Sequence, residues 1–225
     1  VSYLCDPVGH IEQLPQIING FGISHFVASR GIMDNENIKY TNYLWKAPDG
    51  TEVIVQALPF GYSNKIPMHQ AGFDNDINER KEKLKQYTIT SSMLIMQGTD
   101  HGEPEDDIPT LVKDFNLRNN EKITLTTLEE HFRELEEMKS QLPMYSGELR
   151  YSYAMPILSG ILTDRMEIKL KNSELENSLE KWAEPFSAFK WMTGKDYPDA
   201  FLNMAWKLQV KNSFHDCIYS AHADH

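Results

Sequence analysis

The sequence predicts an α/β fold: a mostly parallel, barrel-like sheet carrying a hairpin insertion over residues 1–142, then a three-helix bundle over residues 143–225. Three observations predict it. Short β-branched or apolar runs alternate with segments of helical period through the first of these regions. A Pro48-Asp49-Gly50 turn joins two apolar runs into a hairpin. After Tyr145 the β-branched runs stop, and apolar residues recur at spacings of three and four.

Taken in order, Val1 to Cys5 reads as a buried strand, and Gly9 to Asn19 as a helix with Ile11, Leu14, Ile17 and Ile18 on one face. His25 to Ser29 is a second strand, which makes the opening unit βαβ. Tyr43 to Ala47 and Thr51 to Leu58 are the two arms of the hairpin. The polar stretch Asn75 to Gln86 has helical composition, and Ser91 to Gln97 (SSMLIMQ) returns to a buried strand that runs into the loop GTDHGEPEDD. A helix from Asp106 to Asn116, a strand from Lys122 to Thr126 and a charged helix from Thr127 to Lys139 complete the alternation. Beyond the QLPMYSG loop, Pro156 to Ser187 and Asp199 to Asn212 read as long helices, with Leu170, Leu175, Leu179, Trp182 and Phe186 among their apolar positions.

The chain's 225 residues are 40% hydrophobic and 11% aromatic, enough to bury a core. Its 22 basic against 33 acidic residues leave a formal net charge of -11, a sign that repels phosphate backbones and speaks against nucleic acid as a partner. No apolar run approaches the roughly 18 residues of a membrane span. Cys5 and Cys217 lie far apart in sequence and read as a free, reduced pair in a cytoplasmic protein. A lone disulfide stays open, as does a homodimer. The chain opens in mid-strand without a leader, as a piece of something longer does.

Two acids stand in equivalent places, Asp6 after the first strand and Asp100 after SSMLIMQ. Were those strands neighbours in one parallel sheet, both carboxylates would meet at its carboxyl rim, where α/β folds collect ligands and catalytic groups. Such a pair is what a glycosidase brings to one bond. Equally, Asp6 fits a cap of the following helix or turn, and two loop acids among 33 fall at strand ends by chance. Arg30 ends the His25 strand at the same rim, as a surface residue or an ion-pair partner. Near the carboxyl end, His215-Asp216 follows a helix and suits its last carbonyls. His222, Asp224 and His225 have the spacing of metal ligands but form a weak motif.

Several stretches together resemble glycoside hydrolase family 38, the zinc-dependent retaining α-mannosidases, and its bacterial branch in particular. CDPVGHIEQLPQIINGFGI is similar to the family's nucleophile segment and the helix after it, and VASRGI to its strand ending in Arg-Gly. YLWKAPDGTEVIVQALPFGYSN resembles its hairpin and aromatic loop, and MQGTDHGEP the strand and loop that deliver the acid/base. YSGELRYS, ILSGILTDRMEIKLKNSELENSLEKWAEPFSA and FLNMAWKLQVKNSFHDCIYSAHAD resemble the three-helix domain and its His-Asp segment. They follow in the family's order.

The resemblance implies Asp6 as nucleophile and zinc ligand, Asp100 as general acid/base, and His215 as a second zinc ligand. Arg30, Tyr62 and Asp216 would contact the sugar or the nucleophile, and the substrate would be an α-mannoside or mannosylglycerate. It also implies two further zinc ligands from an H-x-D motif ahead of Val1. On that expectation the chain is a central portion of the enzyme, metal-poor and nearly inactive alone, or a non-catalytic carbohydrate-binding piece. A sugar deacetylase on a similar metal-bearing barrel is the third class.

Overall fold

The computed structural model describes residues 1–34, 36–66 and 70–219. The described residues fall into two compact units, which divide between Ile157 and Leu158. No helix among the described residues is long and apolar enough to cross a membrane.

The first unit is built on a five-stranded sheet of β1 (Ser2–Tyr3), β2 (His25–Ala28), β3 (Asn42–Lys46), β4 (Glu52–Ala57) and β5 (Met144–Ser146), in the order β1-β2-β4-β3-β5. β1, β2 and β4 run parallel, β3 is antiparallel to β4, and β5 is parallel to β3. The hairpin closes where expected. The Asp49 carboxylate accepts from the Thr51 amide and hydroxyl at 2.9 and 3.0 Å, and Gly50 takes the positive φ of 90° that the turn needs.

Both sheet faces are buried, which explains the nearly continuous apolar runs of β2 and β4. Phe26, Ala28, Tyr43, Trp45, Val53, Val55 and Ala57 face one cluster with Ile18, Ile32 and Leu149, whereas Val27, Leu44, Ile54 and Leu58 face Phe132 and Leu135. Fully buried Trp45 still donates its indole N–H to the Gly147 carbonyl at 3.0 Å.

Of the first unit's helices, α1 (Leu14–Asn19) and α4 (Leu128–Glu137) pack on the sheet, whereas α2 (Gln70–Lys85) and α3 (Ile108–Arg118) pack on each other around a separate cluster of Phe73, Ile77, Leu111 and Phe115. Thr127 caps α4 by accepting from the Glu130 amide, the T-x-x-E pattern of a capping box. α1 starts later than its apolar spacing suggests. Residues ahead of it are taken up by a bridge between His10 and Leu149, so Ile11 and Ile17 are exposed and only Pro15 and Ile18 of the helix are buried.

Two expected strands do not form ladders. In Ser91 to Gln97, Leu94 and Met96 pack into one core cluster and Ile95 into another, so the side chains alternate as a strand's do. Among the described residues its backbone has no neighbouring strand, and the one bridge is Gly98 with Asn64. In Lys122 to Thr126, the Asn116 side chain takes a strand's place: it accepts from the Ile123 amide and donates to the Ile123 carbonyl, each at 2.7 Å. A local amide here outcompetes a distant strand.

The break between units falls at 157/158, beyond the 142/143 boundary read from the sequence. The reason is β5 and the segment after it. Met-Tyr-Ser carries no β-branched residue, yet it pairs with β3, and Leu149 beyond it is fully buried.

The second unit is helical: α5 (Met166–Ser178), a π-turn (Leu179–Ala183), α6 (Glu184–Met192), α7 (Asp199–Asn212) and the short α8 (His215–Ile218). The helix expected from Pro156 begins only at Met166, because Leu158 and Arg165 are left-handed and flank a 3-10 turn. The π-turn lies just ahead of Pro185, whose ring cannot donate to the Lys181 carbonyl, so the helix widens instead of breaking. Glu184 accepts from the Trp206 indole at 2.8 Å and from the Tyr197 hydroxyl, and Gln209 donates to Asn172 and Glu176 at 3.1 and 3.0 Å. These bonds tie α7 to the α5–α6 course.

Candidate active site

Because β1, β2 and β4 run parallel, the residues following them emerge at one sheet edge. The ladders continue one step past the strands, with Leu4 donating to Val27 and Leu58 to Ala28, each at 2.9 Å. The Ser29 hydroxyl hydrogen-bonds the Cys5 carbonyl across the same edge. Asp6 and Arg30 are the next residues out. Arg30 donates from Nε and lies with Nη2 against the same Asp6 atom, Oδ1, at 2.8 Å in both cases, while Nη1 donates to the Pro156 carbonyl at 3.0 Å.

Of the two readings left open for Arg30, the ion pair is therefore the observed one. The side chains are 21% exposed for Arg30 and 28% for Asp6, and a charge-assisted pair so sheltered is more sharply oriented than one on open surface. Asp6 does not cap α1. The capping position of that helix is Gln13, without a side-chain cap.

Two glycines make this edge possible. Gly9 and Gly31, each following one of the paired residues, have φ of 122° and 78°. Against them runs the 149–151 segment: His10 and Leu149 exchange amide bonds at 2.9 Å, and Tyr151 donates to the Gly31 carbonyl at 3.2 Å. A Cβ on Gly31 would stand 2.3 Å from the Leu149 carbonyl oxygen.

Asp100 is placed differently from the expectation. It sits on a loop, not at the end of a sheet strand, and that loop is fastened to the one following β4. Asn64 and Gly98 exchange amide bonds at 2.6 and 2.9 Å, and the Asp100 amide donates to Ser63 Oγ at 3.2 Å. Arg80 of α2, paired with Asp76, donates to the Asn64 side chain at 2.5 Å. Tyr62 lies in the fastened loop. Burial raises the pKa of its hydroxyl, and the charges of Asp6 and then Asp100 push the same way while Arg30 opposes. Tyr62 thus stands within the fields of both acids. The Asp100 side chain is 60% exposed, with His101 beside it at 3.9 Å.

Sequence reasoning missed Ser63, Asn64 and His10. The first two carry no signal in a polar loop. His10 lies within the opening motif but was absorbed into the helix pattern. It is 5% exposed, and its ring meets Phe26 edge-on at 5.0 Å. Burial brings its pKa from 6.5 down to about 4, against a hydrogen bond to the Arg30 backbone that favours the protonated ring. His131, beside Gln56 at 2.6 Å, is lowered by burial too.

A histidine whose folded pKa is depressed binds fewer protons folded than unfolded, so stability is full above about pH 6.5 and falls as pH drops toward 4. For His10 the loss comes to about 3 kcal/mol at about 1.4 kcal/mol per pH unit. Thermal unfolding between pH 7.5 and pH 4 is expected to show this fall, with a shallower slope in His10→Leu.

In the second unit, His215 opens α8 with its Nε2 3.4 Å from Asp216 Oδ1, and its ring lies 4.6 Å from that of Phe214. Imidazole nitrogen and carboxylate oxygen are donors that zinc takes, so His215 and Asp6, each considered within its own unit, are of a type that fits that metal. His222, Asp224 and His225 lie outside the described residues.

Comparison with known proteins adds four findings. Residues 1–148 match the model of the glycosyl hydrolases family 38 N-terminal domain, where the sequence had suggested a central portion. A protein with the provisional name mannosylglycerate hydrolase from Halalkalibacterium halodurans is 25% identical over all of this chain, which spans 27% of that protein. Alpha-mannosidase 2C1 of Mus musculus is 27% identical over 96% of the chain and 20% of its own length. An alpha-mannosidase crystal structure from Enterococcus faecalis V583 superposes over 99% of the chain and 26% of its own, with a TM-score of 0.89 at 24% identity. The chain thus spans about a quarter or less of the relatives it matches.

Proposed function

Because the chain belongs to glycosyl hydrolase family 38, we propose that it supplies the nucleophile and the acid/base of a retaining α-mannosidase. The observation that carries this reading is Asp6 at the carboxyl edge of the parallel strands, oriented by Arg30, with Tyr62 in the fields of both Asp6 and Asp100.

Asp6 attacks the anomeric carbon, and the bond to the leaving oxygen breaks as Asp100 gives that oxygen its proton. This leaves a glycosyl ester on Asp6. Asp100, now a carboxylate, takes a proton from water; the water oxygen attacks the same carbon, the ester bond breaks, and the sugar leaves with its configuration retained. Arg30 fixes the carboxylate it touches, and Tyr62 and Asp216 contact the sugar. The exposure of Asp100 suits a group that must meet both an aglycone and water.

Asp6 and His215 would hold zinc, with further donors completing the three or four it requires. When bound, it supplies a positive charge that anchors sugar hydroxyls. In the whole protein the sheet would extend toward a barrel and the helices toward a three-helix bundle. The relative named mannosylglycerate hydrolase supports that substrate as the second reading.

The test is to assay the full-length gene product on aryl α-mannosides and on mannosylglycerate, with and without a strong chelator, following the anomer first released. Retention with chelator-sensitive turnover of either substrate is expected, and the preferred one decides between the readings. Inversion would remove the nucleophile role from Asp6. Turnover that resists the chelator would remove zinc. The 225-residue chain alone is expected to be nearly inactive in the same assay.

A further inference from the structure

We propose that Arg80 is a positioning residue: from α2 it locks the Asn64 side chain, and through the backbone pair that Asn64 makes with Gly98 it sets where Asp100 stands. The inference rests on the reading of Asp100 as the acid/base.

Asp100 depends on such support. Among the described residues its carboxylate accepts no hydrogen bond, since His101 at 3.9 Å is out of reach. Its place is therefore set by the backbone beneath it, which is held by the loop after β4. The Asn64–Gly98 amide exchange and the bond from the Asp100 amide to Ser63 Oγ make that connection, and the Ile66 amide adds a longer bond to Gln97 Oε1 at 3.3 Å. These contacts join two loops to each other.

Arg80 joins the pair of loops to a helix. Its Nε and Nη2 fork onto the carboxylate of Asp76, one turn earlier in α2, with Nη2 at 3.1 Å, while Nη1 donates to Asn64 Oδ1 at 2.5 Å. The side chains of the fork are only 21% and 22% exposed. Asn64 Nδ2 in turn donates to the Gly61 carbonyl at 3.2 Å, so the amide is oriented from both ends. Ile66 and Ile95 also pack with the α2–α3 cluster, but apolar burial is non-directional and does not fix how the loops are turned.

Holding the acid through its backbone suits a group that must gain and lose a proton. A donor placed on the carboxylate itself would favour the anion and lower its pKa, which works against keeping the proton for the leaving oxygen. A guanidinium that stays charged and grips the neighbouring loop supports both forms alike.

Two substitutions in the full-length protein separate positioning from stability. Arg80→Met keeps an apolar stem and removes the donors. Arg118→Met is the control: it breaks a comparable fork, from α3 onto Asp74 of α2 at 2.5 and 3.0 Å, whose remaining nitrogen donates to the Asp114 carbonyl. For each variant kcat/KM is measured on phenyl α-mannoside, whose leaving oxygen needs a proton, and on dinitrophenyl α-mannoside, whose leaving oxygen does not. This ratio reports the steps up to the glycosyl ester, so the later role of Asp100 as base does not enter. Arg80→Met is expected to lose at least about tenfold on the phenyl substrate and to stay within about threefold on the other, because small misplacements of a reacting group are costly. Arg118→Met is expected to leave the selectivity between the two unchanged, whatever its melting temperature.

An equal fall on both substrates, or a selectivity no different from that of Arg118→Met, would make Arg80 a stabiliser of α2 alone. Asn64→Ala removes the acceptor and leaves the Arg80–Asp76 fork intact; it should reproduce the selectivity change, and it stands in for Arg80→Met if that variant does not fold. Should the wild-type protein cleave neither mannoside, the acid/base reading falls, and hydrogen exchange in peptides covering residues 97–101 decides the rest. Exchange at least about tenfold faster in Arg80→Met than in Arg118→Met is expected there. Equal rates would mean that Arg80 does not hold the loop.

Discussion

Asp6→Asn in the full-length protein is expected to lower α-mannoside turnover by at least about a thousandfold, the scale of losing a covalent nucleophile. The amide keeps the size of the carboxylate and can still accept from Arg30 Nε, so the strand edge should survive. What is lost is the anion that forms the glycosyl ester. The ion pair is partly exposed, so its loss should shift the melting temperature only slightly. Steady-state rates and a thermal scan on the same preparation check both statements. A residual rate within tenfold of wild type would move the nucleophile to another residue, and a large fall in melting temperature would mean that Asp6 serves the fold. Asp100→Asn should behave differently. It should spare the first step for substrates whose leaving group needs no proton and impair it for poorer ones, while release of the sugar slows for both, because the same residue later takes the proton from water.

Gly31→Ala is expected to cost about 3 kcal/mol or more of stability, and activity with it. Two effects coincide there. The φ of 78° is strained for any residue with a Cβ, and that Cβ would stand 2.3 Å from the Leu149 carbonyl oxygen, a backbone atom held by its own bridge to His10. Gly50→Ala is the control. Its φ of 90° is equally left-handed, but among the described residues nothing lies within 4 Å of the added carbon, so only the conformational cost of about 1 kcal/mol is expected. Denaturant unfolding of the two variants measures the difference, which is the cost of crowding alone. Equal losses would mean that the 149–151 segment yields easily, and that it does not brace the Arg30 turn.

The sequence by itself determined the parts of this protein whose signals are local. Apolar runs marked β2 and β4, Pro-Asp-Gly marked the hairpin, and Thr127 with Glu130 marked the start of α4, because each depends on neighbours within a few residues. The same holds for Asp6 and Arg30 as candidates, since a charged residue ending a buried strand is visible as a break in pattern. Tertiary structure decided what depends on partners far along the chain. SSMLIMQ has a strand's alternation, yet whether it joins a ladder turns on a neighbouring backbone that no local pattern encodes. β5 has no strand signal and joins the sheet because β3 offers it an unpaired edge. Likewise, Arg30 was open between surface and ion pair until the parallel register of β1 and β2 set it beside Asp6. His10 stayed hidden for a related reason: a histidine among apolar residues looks like a helix position until Leu149 claims its backbone and its ring is buried against Phe26. Local propensity is a weak prior that tertiary pairing overrides wherever a buried hydrogen-bonding group must find its partner.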